Sequence, residues 1–170
     1  MIGVCVLKCN LTTGKRALVW ILFLGYLACL SYFLFFSERY GRTDTSNGYR
    51  YNLVLFREIK RFFIYRREVG LEGFLVNMVG NVAAFMPFGF CLPMISLKRR
   101  GFFSVLFWSF GLTLTIETIQ LLYQIGSFDV DDLLLNTIGG VLGYICYRIM
   151  LAIYRVYKVR KSSHHKYRME

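Results

Sequence analysis

Histidine is almost absent from this sequence: there are two, His164 and His165, both in a basic C-terminal stretch. That leaves no H-E-x2-H zinc motif, and no serine stands with a partner base, so the common hydrolytic chemistries lack their parts. Proline is as scarce, with only Pro87 and Pro93 among 170 residues. Acid is short too, with ten Asp and Glu against 21 Lys and Arg, a formal net charge of +11. The five cysteines make no disulfide framework. Cys29, Cys91 and Cys146 fall inside apolar runs, where a thiol behaves as a small apolar group, and Cys5 with Cys9 lack the further ligands a metal site needs.

What the chain has in quantity is apolar length. It is 56% hydrophobic and 18% aromatic, and four runs, Ala17–Phe36, Phe74–Ser96, Phe102–Gln124 and Asp132–Tyr154, approach the roughly twenty residues that carry a helix across about 30 Å of hydrocarbon. A soluble protein of this size rarely holds several such runs. The expected fold is therefore an all-α membrane protein, four transmembrane helices in an antiparallel bundle. The chain divides into an N-terminal segment 1–16, a membrane domain 17–154 and a basic tail 155–170, the tail expected to be irregular. Met1 to Phe36 reads as an uncleaved signal-anchor, too long for a signal-peptide core and without an A-x-A-like exit.

The positive charge flanks the apolar runs, where it sets topology and meets anionic headgroups, so nucleic acid is not the expected partner. The N-terminal segment, the Lys98–Arg100 loop and the tail from Arg155 are basic, which places both termini in the cytoplasm. The acidic turn Asp129–Asp132 then faces outward, with the long connection 37–73. Within that connection, Leu53–Tyr65 has Leu55, Phe56, Ile59, Phe62 and Phe63 on one helical face and Arg57, Glu58 and Arg61 on the other. This is an amphipathic interfacial helix, or a cap on the bundle. Pro87 and Pro93 are expected to kink or break the second span near its end.

The polar residues inside the spans carry the functional signal. Glu117, Gln120 and Gln124 share one face of a helix, and a carboxylate in lipid must be protonated, paired or hydrated. Asn77 and Asn81 enter the second span four residues apart, and Asn136 lies just inside the fourth. At 1.5 Å per residue all sit within about 12 Å of the outer surface, below Asp129, Asp131 and Asp132. Polar side chains in membranes also simply hold helices together, by about 0.6 kcal/mol each. Convergence from three helices at one depth favours a pocket. Gly139-x3-Gly143 has the spacing for close helix approach, within the bundle or in an oligomer.

The run N-x3-N-x3-F-x-P-x-G-x3-P from Asn77 to Pro93, I-E-x2-Q from Ile116 to Gln120, and D-x-D-D-x3-N-x2-G-x3-G from Asp129 to Gly143 resembles the VanZ-like family of bacterial integral membrane proteins. The segment Tyr51–Arg57 is similar to that family's N-L-x-P-F-R element. Leu55 replaces the proline of that element, and Ser127 stands where similar proteins often carry an arginine. The resemblance implies a place in the bacterial cytoplasmic membrane, a cell-envelope role and, for the family's namesake, resistance to teicoplanin-type glycopeptides.

Two readings follow. In the first, a non-enzymatic envelope protein binds membrane lipid, a lipid-linked envelope precursor or a lipoglycopeptide tail at the outer leaflet. Its ligand-binding residues would be Arg57, Asn77, Asn81, Glu117, Gln120, Asp129, Asp132 and Asn136, with Arg57 holding an anionic group. In the second, an embedded enzyme acts on a lipid-linked substrate, with Glu117, Asp131 or Asp132 as general base. A divalent cation on Asp129, Asp131, Asp132 and Asn136 would belong to that reading, although aspartates beside a helix start also serve as caps without metal. The first reading takes no cofactor. A structural or assembly subunit, or a transporter, are weaker alternatives.

Overall fold

The computed structural model describes residues 13–36, 49–64, 78–96 and 101–167. Five helices and one short ladder make up this part of the chain: α1 Thr13–Phe36, β1 Tyr51–Asn52, α2 Arg57–Ile64, α3 Gly80–Ile95, α4 Phe102–Leu122, β2 Phe128–Asp129 and α5 Val130–Tyr167. Among the described residues, three stretches are long and apolar enough to cross a membrane, Arg16–Phe35, Phe102–Leu122 and Val130–Lys161. The fourth apolar helix, α3, has 16 residues, about 24 Å of rise, and follows a wider π-type turn at Met78 and Val79. The first four residues of that expected span, 74–77, lie outside the described residues.

These helices form because their apolar content satisfies a lipid-like surrounding on every side. Leu18, Ile21, Leu22 and Leu24 of α1 are all more than half exposed, as expected where the solvent is hydrocarbon rather than water. Packing is organised by α3, which meets α1, α4 and α5, the last most extensively. Phe23, Phe88, Leu92, Ile95, Val105, Tyr144 and Tyr147 make one buried cluster drawn from α1, α3, α4 and α5, and Leu30, Phe85 and Ile116 make a second.

Glycine sets how closely α3 and α5 approach. A Cβ on Gly139 would overlap the Val82 carbonyl, one on Gly143 the Met86 carbonyl, and one on Gly89 the Gly140 carbonyl. The close approach that Gly139-x3-Gly143 allows is thus made inside the chain. Pro87 and Pro93, expected to kink or break the span, do not break it: α3 runs through both to Ile95. The Tyr26 hydroxyl donates to the Ala84 carbonyl at 2.7 Å, just ahead of Pro87, so a side chain supplies a donor in the turn where the proline weakens the ladder.

Two further expectations are corrected. Residues from Arg155 onward continue α5 to Tyr167, giving one helix of 38 residues, because extending a formed helix costs far less than nucleating one. The amphipathic helix begins at Arg57 rather than Leu53. Residues 53–56 form a turn closed by the Arg57 N–H donating to the Val54 carbonyl at 3.3 Å, with Phe56 at φ 65°. A positive φ at the third residue is the type II pattern. The turn places Leu53, Val54, Leu55 and Phe56 at the surface, each at least 44% exposed.

Candidate functional site

Ahead of α2, Tyr51 and Asn52 pair in parallel with Phe128 and Asp129. The ladder is two residues long, yet it fastens the connection before α2 to the turn between α4 and α5. Asp129 is the knot. Its Oδ1 accepts the Asn52 amide at 3.1 Å and the Asp131 N–H at 2.8 Å, the second bond being a side-chain cap on the start of α5. Its own N–H donates to Glu117 Oε2 at 2.9 Å. Burial pushes the Asp129 carboxyl above its ordinary range; the Asp131 N–H and the Asn52 amide pull it back, and the charges of Asp131 and Glu58 add to the rise.

Asp131 is 1% exposed and caps a different helix. Its Oδ2 accepts the N–H groups of Glu58 at 2.8 Å and Ile59 at 3.3 Å, and its Oδ1 accepts that of Phe56. The free N–H groups at the start of α2 are thus met by a carboxylate from the start of α5. Asp132 turns the other way and accepts the Asn81 amide of α3 at 2.6 Å. One turn deeper, Asn136 donates to Thr113 Oγ1 at 2.9 Å.

Glu117 and Gln120 are 3% and 8% exposed, as their shared face implies, and Gln120 donates to the Leu34 carbonyl at the end of α1 at 3.0 Å. Gln124 departs from that face. The helix has already ended: the Ile125 N–H reaches the Gln120 carbonyl and the Gln124 N–H the Leu121 carbonyl, the paired bonds of a Schellman close. Gln124 takes the left-handed position at φ 54° and is exposed.

The structure therefore joins Asn81, Glu117, Gln120, Asp129, Asp132 and Asn136 at one end of the helices, with Asp131 beside them. Arg57 does not enter: it is exposed and makes no ion pair with the aspartates. Asn77 lies outside the described residues. No group of three His, Cys, Asp or Glu side chains that could hold a metal occurs among the described residues.

Three participants were not singled out from the sequence. Asn52 spans the ladder, also accepting the Val54 N–H at 3.2 Å. Ser109 and Thr113, both 0% exposed, stand eight and four residues before Glu117 on α4. Their i, i+4, i+8 spacing was the available signal, a buried polar stripe through an apolar helix. Ser109 Oγ and Asn136 Oδ1 are buried without a hydrogen-bond partner.

Residues 23–151 match the family described as VanZ/LLP1. The chain belongs to that family. Protein VanZ of Enterococcus faecium is 35% identical over 104 residues, covering 56% of this chain. The match spans 64% of that relative, less than two thirds of its length. No solved structure matches the chain. The matched VanZ/LLP1 residues include the second half of α1, from Phe23, and the whole carboxylate cluster, and the long apolar helices make this an integral membrane protein. Leu55, in place of the VanZ-like proline, holds the second position of the turn, where proline is also favoured. Ser127 is exposed, directly ahead of β2.

Proposed function

We propose that this protein is a non-enzymatic member of the VanZ/LLP1 family that binds an amphipathic, lipid-linked or lipoglycopeptide ligand in the outer leaflet of the bacterial cytoplasmic membrane. Its action there would lower access of teicoplanin-type glycopeptides. The reading takes α1, α3, α4 and α5 as four alternating spans with both termini cytoplasmic, as the basic flanks favour. It puts the carboxylate cluster at the outer end.

One observation carries the proposal. A groove of about 570 Å³ runs between α1 and α3, lined by Tyr26, Leu30, Phe33, Leu34, Asn81 and Pro87 among others. Asn81 also donates to Asp132, so the apolar slot ends on an amide that is bonded to the carboxylate cluster behind it. That combination suits a ligand with an apolar tail and hydrogen-bonding head, and the volume lies within the roughly 300–1,000 Å³ of small-molecule sites. In this reading Glu117, Asp129 and Asp131 are positioning residues, because backbone N–H groups already occupy them.

A binding experiment tests it. Vesicles bearing the full chain should retain a fluorescent lipoglycopeptide saturably, and Ala83→Trp, which fills the groove from its wall, should remove the saturable part. Equal binding by wild type and variant sinks the groove. The enzyme reading would show instead as a changed mass of membrane lipid or precursor on expression.

A further inference from the structure

A second groove lies at the opposite end of the helices, away from the carboxylates. It is about 850 Å³ and is bounded by α1 and α4 over a floor of α3. Arg16 and Ser96 stand at its mouth, Trp20, Phe107 and Trp108 form its walls, and Phe88, Leu92 and Ile95 its floor. On α1 the lining runs from Arg16 to Leu27, roughly 16 Å of helix, or about one leaflet of hydrocarbon.

Charge complementarity decides the occupant. Arg16 donates one N–H to the Ile95 carbonyl at 3.2 Å, which fixes the guanidinium at the mouth and leaves most of its five donors unused. Ser96 is followed within four residues by Lys98, Arg99 and Arg100. An apolar slot one leaflet long, with a planar cation held at its polar end, matches a lipid acyl chain under an anionic phosphate. We propose that this groove is a binding site for an anionic phospholipid of the leaflet at the Arg16 end, the phosphate on Arg16 and one acyl chain between Trp20 and Trp108. The site is independent of the ligand groove beside Asn81.

The chain's two tryptophans, Trp20 and Trp108, both line this groove, so their fluorescence reports its occupancy. The full chain is placed in phosphatidylcholine nanodiscs with a small fraction of lipid brominated on the acyl chain, carrying either a phosphatidylglycerol or a phosphatidylcholine headgroup. The proposal expects saturable quenching, with phosphatidylglycerol preferred by about fivefold, the effect of one basic side chain at a membrane surface. Arg16→Lys should keep most of that preference and Arg16→Gln should remove it. A Cβ on Gly111 meets nothing within 4 Å, so Gly111→Leu fills the groove without disturbing the helices and should weaken quenching by both lipids. An unchanged unfolding temperature for Gly111→Leu confirms that the helices are intact. Quenching equal for the two headgroups and linear in lipid fraction is bulk contact and overturns the proposal. Absence of quenching by either lipid also overturns it.

Discussion

Asp131 accepts the backbone N–H of Glu58 at 2.8 Å across 73 positions of sequence. An N-terminal cap is usually supplied by the residue just before the helix; here the start of the last helix caps the short helix of the first connection. The consequence is that α2, too short at eight residues to stand alone, is tied to the membrane domain through one carboxylate.

Removing that carboxylate should free α2. Asp131→Ala leaves the N–H groups of Phe56, Glu58 and Ile59 without their acceptor, at a cost of about 1–3 kcal/mol. The expected result is a lower unfolding temperature in detergent together with faster amide exchange across 56–64. Asp131→Asn retains an acceptor and should fall between. Unchanged exchange in Asp131→Ala would mean that the ladder alone holds α2.

The turn ahead of α2 offers a stabilising change. Leu55 occupies the second position of the Val54–Arg57 turn, where the fixed φ of proline is compatible. Leu55→Pro should raise stability by about 0.4–1 kcal/mol by restricting the unfolded chain, whereas Phe56→Pro, set against a φ of 65°, should lower it. Thermal unfolding of the two variants side by side gives the comparison.

Burial without partners separates two neighbours on α4. Thr113→Val strands the Asn136 amide and should cost about 1 kcal/mol, within the range for interhelical hydrogen bonds in membranes. Ser109→Ala removes a hydroxyl that has no partner and should be neutral or slightly stabilising. Equal losses from both would contradict the pairing.

The Asp129 carboxyl sits above its ordinary range, chiefly from burial. Its folded form therefore binds a proton more readily than its unfolded form. Its contribution to stability is complete below the unfolded aspartate range and is lost as pH rises through the raised folded value. Unfolding temperature measured from acid to neutral pH should decline less steeply in Asp129→Asn than in wild type, the amide retaining the cap on α5. An identical slope would assign the pH dependence to other groups.

The sequence was most legible where periodicity and lipid chemistry agree. Apolar length found the long helices α1, α4 and α5, and the face shared by Glu117 and Gln120 followed from 3.6-residue spacing. It was least legible where distant backbone decides. Nothing around Leu53 marks a delayed helix start, because the cap at Asp131 is remote and the left-handed Phe56 is costly for a non-glycine residue. Gln124 fits the polar face by number alone, and only the Schellman bonds reveal that the helix has ended. Charge in the tail resembled disorder, yet Val156, Tyr157 and Val159 extend the helix among the basic residues.

The central claim is that an apolar groove ending at Asn81, the amide bonded to Asp132, holds the ligand through which the protein acts. Its most direct test is teicoplanin susceptibility of a bacterial host expressing wild type, Ala83→Trp or Glu117→Gln at matched membrane abundance. The account predicts protection by wild type, loss in Ala83→Trp despite normal folding, and protection largely kept in Glu117→Gln, whose amide oxygen still accepts the Asp129 N–H. Equal protection by wild type and Ala83→Trp, or no protection by any of the three, would contradict it.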